Sequence, residues 1–294
     1  MTQELPQLHV GHGTHIGALS VFPVWIDAPR VTGIGWDAGS LRIDEREGSP
    51  VVGELVLTNS VPRPTVALEG DLLRGGWQDR MLASSILLAP GDARVVDVFC
   101  VEQGRWHGGS FGAHRAQGRR SAMSVRHGNA SGSGQGEVWR RIGRYETALG
   151  RTDSSSMLDH LDRNGPIQLR RLEGQRGVII GISGRVVGAE LFGSTSGLRA
   201  RWQGIVDAAA LDARLAQPIR TQAERARSFA RHLMATTLED GGDAGLARHI
   251  RSGSGRLRAS GIAVGRDDLF PAADFERIIH LTVFDNAHPL LVDA

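Results

Sequence analysis

Lysine is missing from this chain: every one of its 34 basic residues is arginine. A GC-rich coding bias explains the substitution, but it has a chemical consequence. There can be no lysine Schiff base and no phosphate-loop lysine, so Walker-type nucleotide hydrolysis is excluded. Cysteine is nearly missing too. The single Cys100 cannot form an internal disulfide, which fits a reducing, cytoplasmic setting. It sits in the apolar run Val98-Phe99-Cys100-Val101 with no electropositive neighbour in sequence, so it reads as an inert core thiol rather than a nucleophile. No run of roughly 18 apolar residues occurs, which argues against a membrane span. The polar stretch Met1 to Val10 carries Glu4 where a signal peptide would carry basic residues. Net charge is only +2, so there is no strong case for nucleic acid as a partner.

With 40% hydrophobic and 22% charged residues, the composition is that of a globular protein able to bury a substantial core. The first hundred residues read as β. Gly17 to Ile26 is an apolar run broken by Pro23, and Val51 to Leu57 and Thr65 to Leu68 are short β-rich stretches. Met81 to Leu88 and Ala93 to Val101 are apolar on both faces, as buried strands are. The Ala89-Pro90-Gly91-Asp92 turn between them predicts a hairpin. From about 107 to 135 glycine, serine, histidine and arginine dominate, which predicts a mobile basic loop. Helical spacing follows in Glu137 to Leu149, in Ser154 to Leu161 with serine N-caps, in Leu198 to Leu215 and in Ile219 to Leu238. Ser183-Gly184 marks a second hairpin, and Arg256 to Val264 and Ile278 to Phe284 close the chain as strands. The expected fold is a single α+β domain over 1–294. Its β-rich N-terminal half, with buried antiparallel hairpins, packs against helices from the C-terminal half.

The first hairpin also locates a candidate site. With the turn centred near Pro90-Gly91, opposed residues have numbers summing to about 181. Arg80 then faces Val101, and Gln78 faces Gln103, within a residue or two. Gln78-Asp79-Arg80 and Glu102-Gln103-Gly104-Arg105-Trp106 therefore converge at the open end of the hairpin. Glu69 and Asp71 arrive from the preceding strand, and Gly75-Gly76 permits a sharp bend or the close approach of a ligand. One reading is a structural network in which Arg80 and Arg105 neutralise Glu69 and Glu102. The other is a pocket for a ligand with phosphates and a planar base or ribose, since arginine forks suit phosphate and an indole offers a stacking face. His9, His12 and His15 have the three-residue spacing of a metal-binding helix face. Gly11 and Gly13 make a helix poor there, so a loose terminal segment is expected and no metal is assigned.

The block Leu68-Glu-Gly-Asp-Leu-Leu-Arg-Gly-Gly-Trp-Gln-Asp-Arg80, then Leu88-Ala-Pro-Gly and Cys100-Val-Glu-Gln-Gly-Arg-Trp106, resembles the ARG and rhodanese-phosphatase-superfamily-associated protein domain family. ARG there denotes ADP-ribosylglycohydrolase. Weaker matching stretches are Phe22-Pro23, Gln135 to Trp139, Gly188 to Phe192 and His280 to Phe284, so the resemblance covers nearly the whole chain. It implies a context of NAD and ADP-ribose derivatives. Its polar positions are Glu69, Gln78, Arg80, Glu102, Gln103, Arg105 and Trp106; Asp79 departs from a pattern in which an amide is usual.

The resulting expectation is binding, and processing if the protein is an enzyme, of ADP-ribose or a related nucleotide derivative. In it Arg80 and Arg105 hold phosphate, Trp106 packs on a planar group, and Gln78, Gln103, Gly75 and Gly76 complete the pocket. Glu102, with Glu69, carries the chemistry, on an N-glycosidic bond. No cofactor is expected, the partner is a small molecule, and homo-oligomerisation is compatible with the sequence. The alternative is a non-catalytic interaction module in which the same residues form a structural network.

Overall fold

The computed structural model describes residues 2–3, 5–46, 51–103, 113–130, 132, 134–252, 255–265 and 277–292. The fold is α+β, with a β-rich N-terminal half, antiparallel sheets and helices mostly toward the C-terminus. The chain divides into two units: Met1–Thr32, Gln168–Trp202 and Asp212–Ala294 form the first, and Gly33–Ile167 with Gln203–Leu211 the second. Among the described residues no helix is long and apolar enough to cross a membrane.

The first unit is built on one long antiparallel sheet. Gly177–Ile182 and Arg185–Phe192 form its central hairpin, flanked by Leu19–Asp27 on one side and Arg277–Asp285 on the other. The turn lies at Ser183 and Gly184, with φ of 49° and 81°. Positive φ at both central residues twists a hairpin in the hand its strands prefer, which is why Ser-Gly was a usable signal. Pro23 sits inside the strand Leu19–Asp27 and is tolerated because its outer partner is interrupted there. Thr14–Ile16 pairs with Leu19 to Val21 and Gln7–Val10 with Val24 to Asp27, and the missing N–H falls in the gap between them. His9 and His15 thus stand on paired strands, not in a loose segment, and His15 Nδ1 lies 2.8 Å from Ser20 Oγ. Among the described residues no group of three or more His, Cys, Asp and Glu could hold a metal ion. Helix Ala223–Met234 presents Ala226, Phe229, Ala230 and Leu233 to the sheet, where they join Phe22, Val24, Ala189 and Leu281 in the core.

In the second unit, among the described residues, six strands close into a barrel. Its order is Ala93–Cys100, Glu54–Thr58, Arg42–Asp44, Ala113–Arg120, Asp71–Gly75 and Arg80–Leu82, which pairs back to the first. Leu41, Ile43, Leu55, Leu57, Leu73, Leu82 and Val98 fill its interior. The expected hairpin is present in part. Cys100 faces Arg80, Phe99 faces Met81 and Val98 faces Leu82, within one residue of the expected register. Pro90 and Gly91, with Gly91 at φ 81° and Asp92 N donating to Ala89 O, make the turn. The stretch Met81 to Leu88 is not one strand, however. Ile86–Leu88 leaves the barrel to pair with Thr65–Ala67, and the near-turn half of Ala93–Cys100 pairs with Glu54–Thr58 instead.

The expected basic loop at 107–135 also contains regular structure: strand Ala113–Arg120, helix Met123–Ala130 and the start of helix Gly134–Leu149. Residues 107–112, 131 and 133 lie outside the described residues. The strand was hidden because its inward positions are His114, Ala116 and Arg120, where two of the three are polar. Strands Leu238–Ala244 and Ala247–Ser252, in the first unit, were also unread. Among their thirteen positions only Leu238, Ala244, Ala247 and Ile250 are buried, too few to set an apolar rhythm.

Candidate functional site

The bend between Asp71–Gly75 and Arg80–Leu82 depends on glycine. Gly75 and Gly76 have φ of 122° and 54°. A Cβ on Gly75 would come within 2.6 Å of the Ala113 carbonyl, and one on Gly76 would run into the His114 ring. The space over these glycines is therefore filled by the protein's own neighbouring strand.

Beyond the bend, Gln78, Asp79 and Arg80 meet the end of Ala93–Cys100. Val101 N donates to Asp79 O at 3.0 Å, and Asp79 N donates to the Glu102 carboxylate at 2.9 Å. The Gln78 amide organises the interior. Its Nε2 donates to Glu102 O at 3.0 Å, while its Oε1 accepts from Arg80 Nη1 at 3.1 Å and from Cys100 Sγ at 3.2 Å. Ser156 joins from another element. Its hydroxyl caps helix Met157–Asn164 by accepting from Leu158 N, and donates to Asp79 Oδ2 at 2.7 Å. Gln78, Asp79, Arg80, Cys100 and Glu102 are all buried.

Arg80 is the least satisfied member. It is 1% exposed, and among the described residues its one side-chain hydrogen bond goes to a neutral amide oxygen and its Nε has no partner. It forms no ion pair there with Glu69 or Glu102, so the expected neutralisation of those carboxylates by Arg80 is not how the charges are arranged. Glu69 is instead held in a fork by Arg126, with Nη2 to Oε2 at 2.6 Å. Asp71 pairs with Arg120 at 2.8 Å. The structure therefore brings Gln78, Arg80 and Glu102 into one hydrogen-bonded group, commits Glu69 to Arg126, and leaves Gln103 exposed. Arg105 and Trp106 lie outside the described residues.

Several participants were not anticipated. His114 is buried against the cluster, with Nε2 at 3.1 Å from Glu45 Oε1 and Nδ1 unpartnered among the described residues. Burial pushes its pKa down, against the opposing pull of the Glu45 carboxylate, and the Arg80 charge nearby pushes the same way as burial. Cys100 is free and fully buried, and burial raises its thiol pKa; it acts as a small donor to carbonyl oxygens, not as a nucleophile. Arg120 and Arg126 fall in the stretch whose composition predicts a loop. The signal for them was charge complementarity with Glu69 and Asp71.

Asp79 gives the site a pH dependence. Burial raises its pKa, and the adjacent Glu102 charge adds to this, against hydrogen bonds from Ser156 and Gly75 and the Arg74 charge. A carboxyl raised in the folded state binds its proton more tightly there. Its stabilising contribution is fully present below the unfolded pKa and is lost as pH rises through the folded value. Ionised Asp79 is therefore a liability at neutral pH. Asp79→Asn is expected to melt higher than the wild type at pH 7, with the gap closing below about pH 4, where the residue is protonated in both states. Melting curves of both proteins across that range check this; a variant that melts lower at pH 7 would show that the carboxylate form is the required one.

Residues 7–284 match the family model described as ARG and Rhodanese-Phosphatase-superfamily-associated Protein domain. No curated protein and no solved structure matches the chain significantly.

Proposed function

Because the chain belongs to the ARG and Rhodanese-Phosphatase-superfamily-associated Protein domain family, we propose that the Gln78/Arg80/Glu102 cluster binds ADP-ribose or a related NAD-derived nucleotide. The observation that carries this reading is Arg80: a buried guanidinium that, among the described residues, has the Gln78 amide oxygen as its side-chain partner and an Nε without one. A buried charge held by a neutral group is costly and persists where something else requires it. A phosphate oxygen is the partner a guanidinium fork suits best.

The carboxyls beside it suit the sugar. Glu102 accepts from the Asp79 backbone, which fixes its orientation, and Asp79 is the group whose surroundings favour the protonated form. Two neighbouring carboxyls are an arrangement used on glycosidic bonds. In this reading Glu102 acts on the N-glycosidic bond, with the Asp79 carboxyl beside it. Glu102→Gln then keeps ligand binding and removes turnover.

The test is thermal melting of the full chain with ADP-ribose, NAD, AMP and ribose 5-phosphate. A ligand at about a hundred times its dissociation constant stabilises the native state by roughly 2.7 kcal/mol. A shift with ADP-ribose that Arg80→Met abolishes supports the assignment. The second reading, a non-catalytic interaction or scaffold module, is favoured by the burial of the same four side chains, Gln78, Asp79, Arg80 and Glu102. It takes the lead if no ligand shifts the melting and Arg80→Met is strongly destabilised.

A further inference from the structure

The first unit contains a groove of about 630 Å³ between helix Ala223–Met234 and neighbouring strand ends. Nothing in the proposed function uses it. We propose that this groove binds a small organic phosphate: an apolar or planar group carrying a phosphate dianion.

The floor is apolar, formed by Val186, Phe229 and Leu257, each buried. Three arginines stand around it. Arg185 opens strand Arg185–Phe192, Arg225 lies in the first turn of the helix, and Arg256 precedes strand Leu257–Val264. Arg256 is held in place by Asp285, with Nε at 3.0 Å from Oδ1 and Nη2 at 2.7 Å from Oδ2. That pairing neutralises Asp285, so Glu239 is the one other carboxylate in the lining. Arg185 and Arg225 have no carboxylate partner among the described residues.

The helix distinguishes among its own arginines. Glu224 reaches Arg231 at 2.9 Å and Arg227 at 3.7 Å, both away from the groove lining. Arg225, the one that lines the groove, has no carboxylate partner among the described residues. Ser228 and His232 follow it along the same helix face, three and seven residues on, and add a hydroxyl and an imidazole to the lining. Arginines and a hydroxyl bordering an apolar floor suit a phosphate attached to an apolar body. The volume is that of a single small-molecule site and not of an extended chain.

The experiment is calorimetric titration of the full-length chain with phenyl phosphate, beside phenol, inorganic phosphate and an aspartate-rich hexapeptide. Phenyl phosphate is expected to bind saturably, at least about tenfold tighter than phenol or inorganic phosphate, because only it meets both floor and rim. Arg185→Ala and Arg225→Ala, both at exposed positions, should each weaken it about tenfold while leaving the melting temperature of the free protein unchanged. Arg80→Met, which tests the other site, should leave it unaltered. The proposal is overturned if phenyl phosphate fails to saturate, if the two arginine variants bind as the wild type does, if Arg80→Met abolishes binding, or if the peptide binds more tightly than phenyl phosphate.

Discussion

Asp71→Ala is expected to destabilise the protein by about 3–5 kcal/mol, the largest loss among the substitutions considered. Arg120 is completely buried, and its Nη1 lies 2.8 Å from Asp71 Oδ1. The other carboxylate oxygen accepts from Leu68 N at 3.1 Å, closing the turn that leads into strand Asp71–Gly75. The two residues also face each other across the ladder between Asp71–Gly75 and Ala113–Arg120. Alanine takes the Asp71 carboxylate away from the buried Arg120 guanidinium and from the Leu68 N–H. Neither can reach water without opening the barrel. Asp71→Asn keeps the shape and one acceptor, so it should fall between alanine and wild type. Urea unfolding at neutral pH measures both. A loss under about 1 kcal/mol for the alanine variant would mean that Arg120 is satisfied without Asp71, and that the pair is not what anchors this strand.

That pair also shows where the sequence was readable and where it was not. Turns were readable because their chemistry is local. Ser183-Gly184 and Pro90-Gly91 each place a residue at positive φ where a tight turn needs one, and both turns are found. The register followed from the turn, which is why Arg80 was placed within one residue of its true partner Cys100. What the turn could not reveal was that Ile86–Leu88 departs for Thr65–Ala67. The hydrophobic pattern of the two halves is the same, and the choice between partners is made by the rest of the barrel.

Strand Ala113–Arg120 was unreadable for a different reason. Its inward side chains are stabilised by partners distant in the chain: His114 by Glu45, 69 residues away, and Arg120 by Asp71, 49 residues away. Apolar periodicity is a local signal, and buried charge is satisfied only in three dimensions. The same limit applies to the candidate site. Composition and register placed Gln78, Arg80 and Glu102 together, but they could not show that Glu69 would be taken by Arg126, 57 residues on. Nor could they show that Ser156 would serve both as a helix cap and as a donor to Asp79.

Arg80→Met is expected to have the opposite sign from Asp71→Ala, stabilising the free protein by about 1–4 kcal/mol. Arg120 and Arg80 are both almost fully buried, but their surroundings differ. Arg120 has a carboxylate at 2.8 Å, whereas Arg80 has the Gln78 amide oxygen at 3.1 Å and an Nε with no partner among the described residues. Methionine is unbranched and flexible enough to occupy much of the volume of the arginine stem, and it buries no charge. It frees Gln78 Oε1 to accept from Cys100 Sγ alone, so no acceptor is stranded. Removing a poorly compensated cation should therefore relieve more free energy than the lost hydrogen bond supplied. Stability gained at the expense of ligand binding is the pattern expected of a residue retained for function. A variant that melts higher and no longer responds to ADP-ribose would assign Arg80 to the ligand. One that melts several degrees lower would mean that the guanidinium holds the hairpin end together, and the cluster would then be a scaffold.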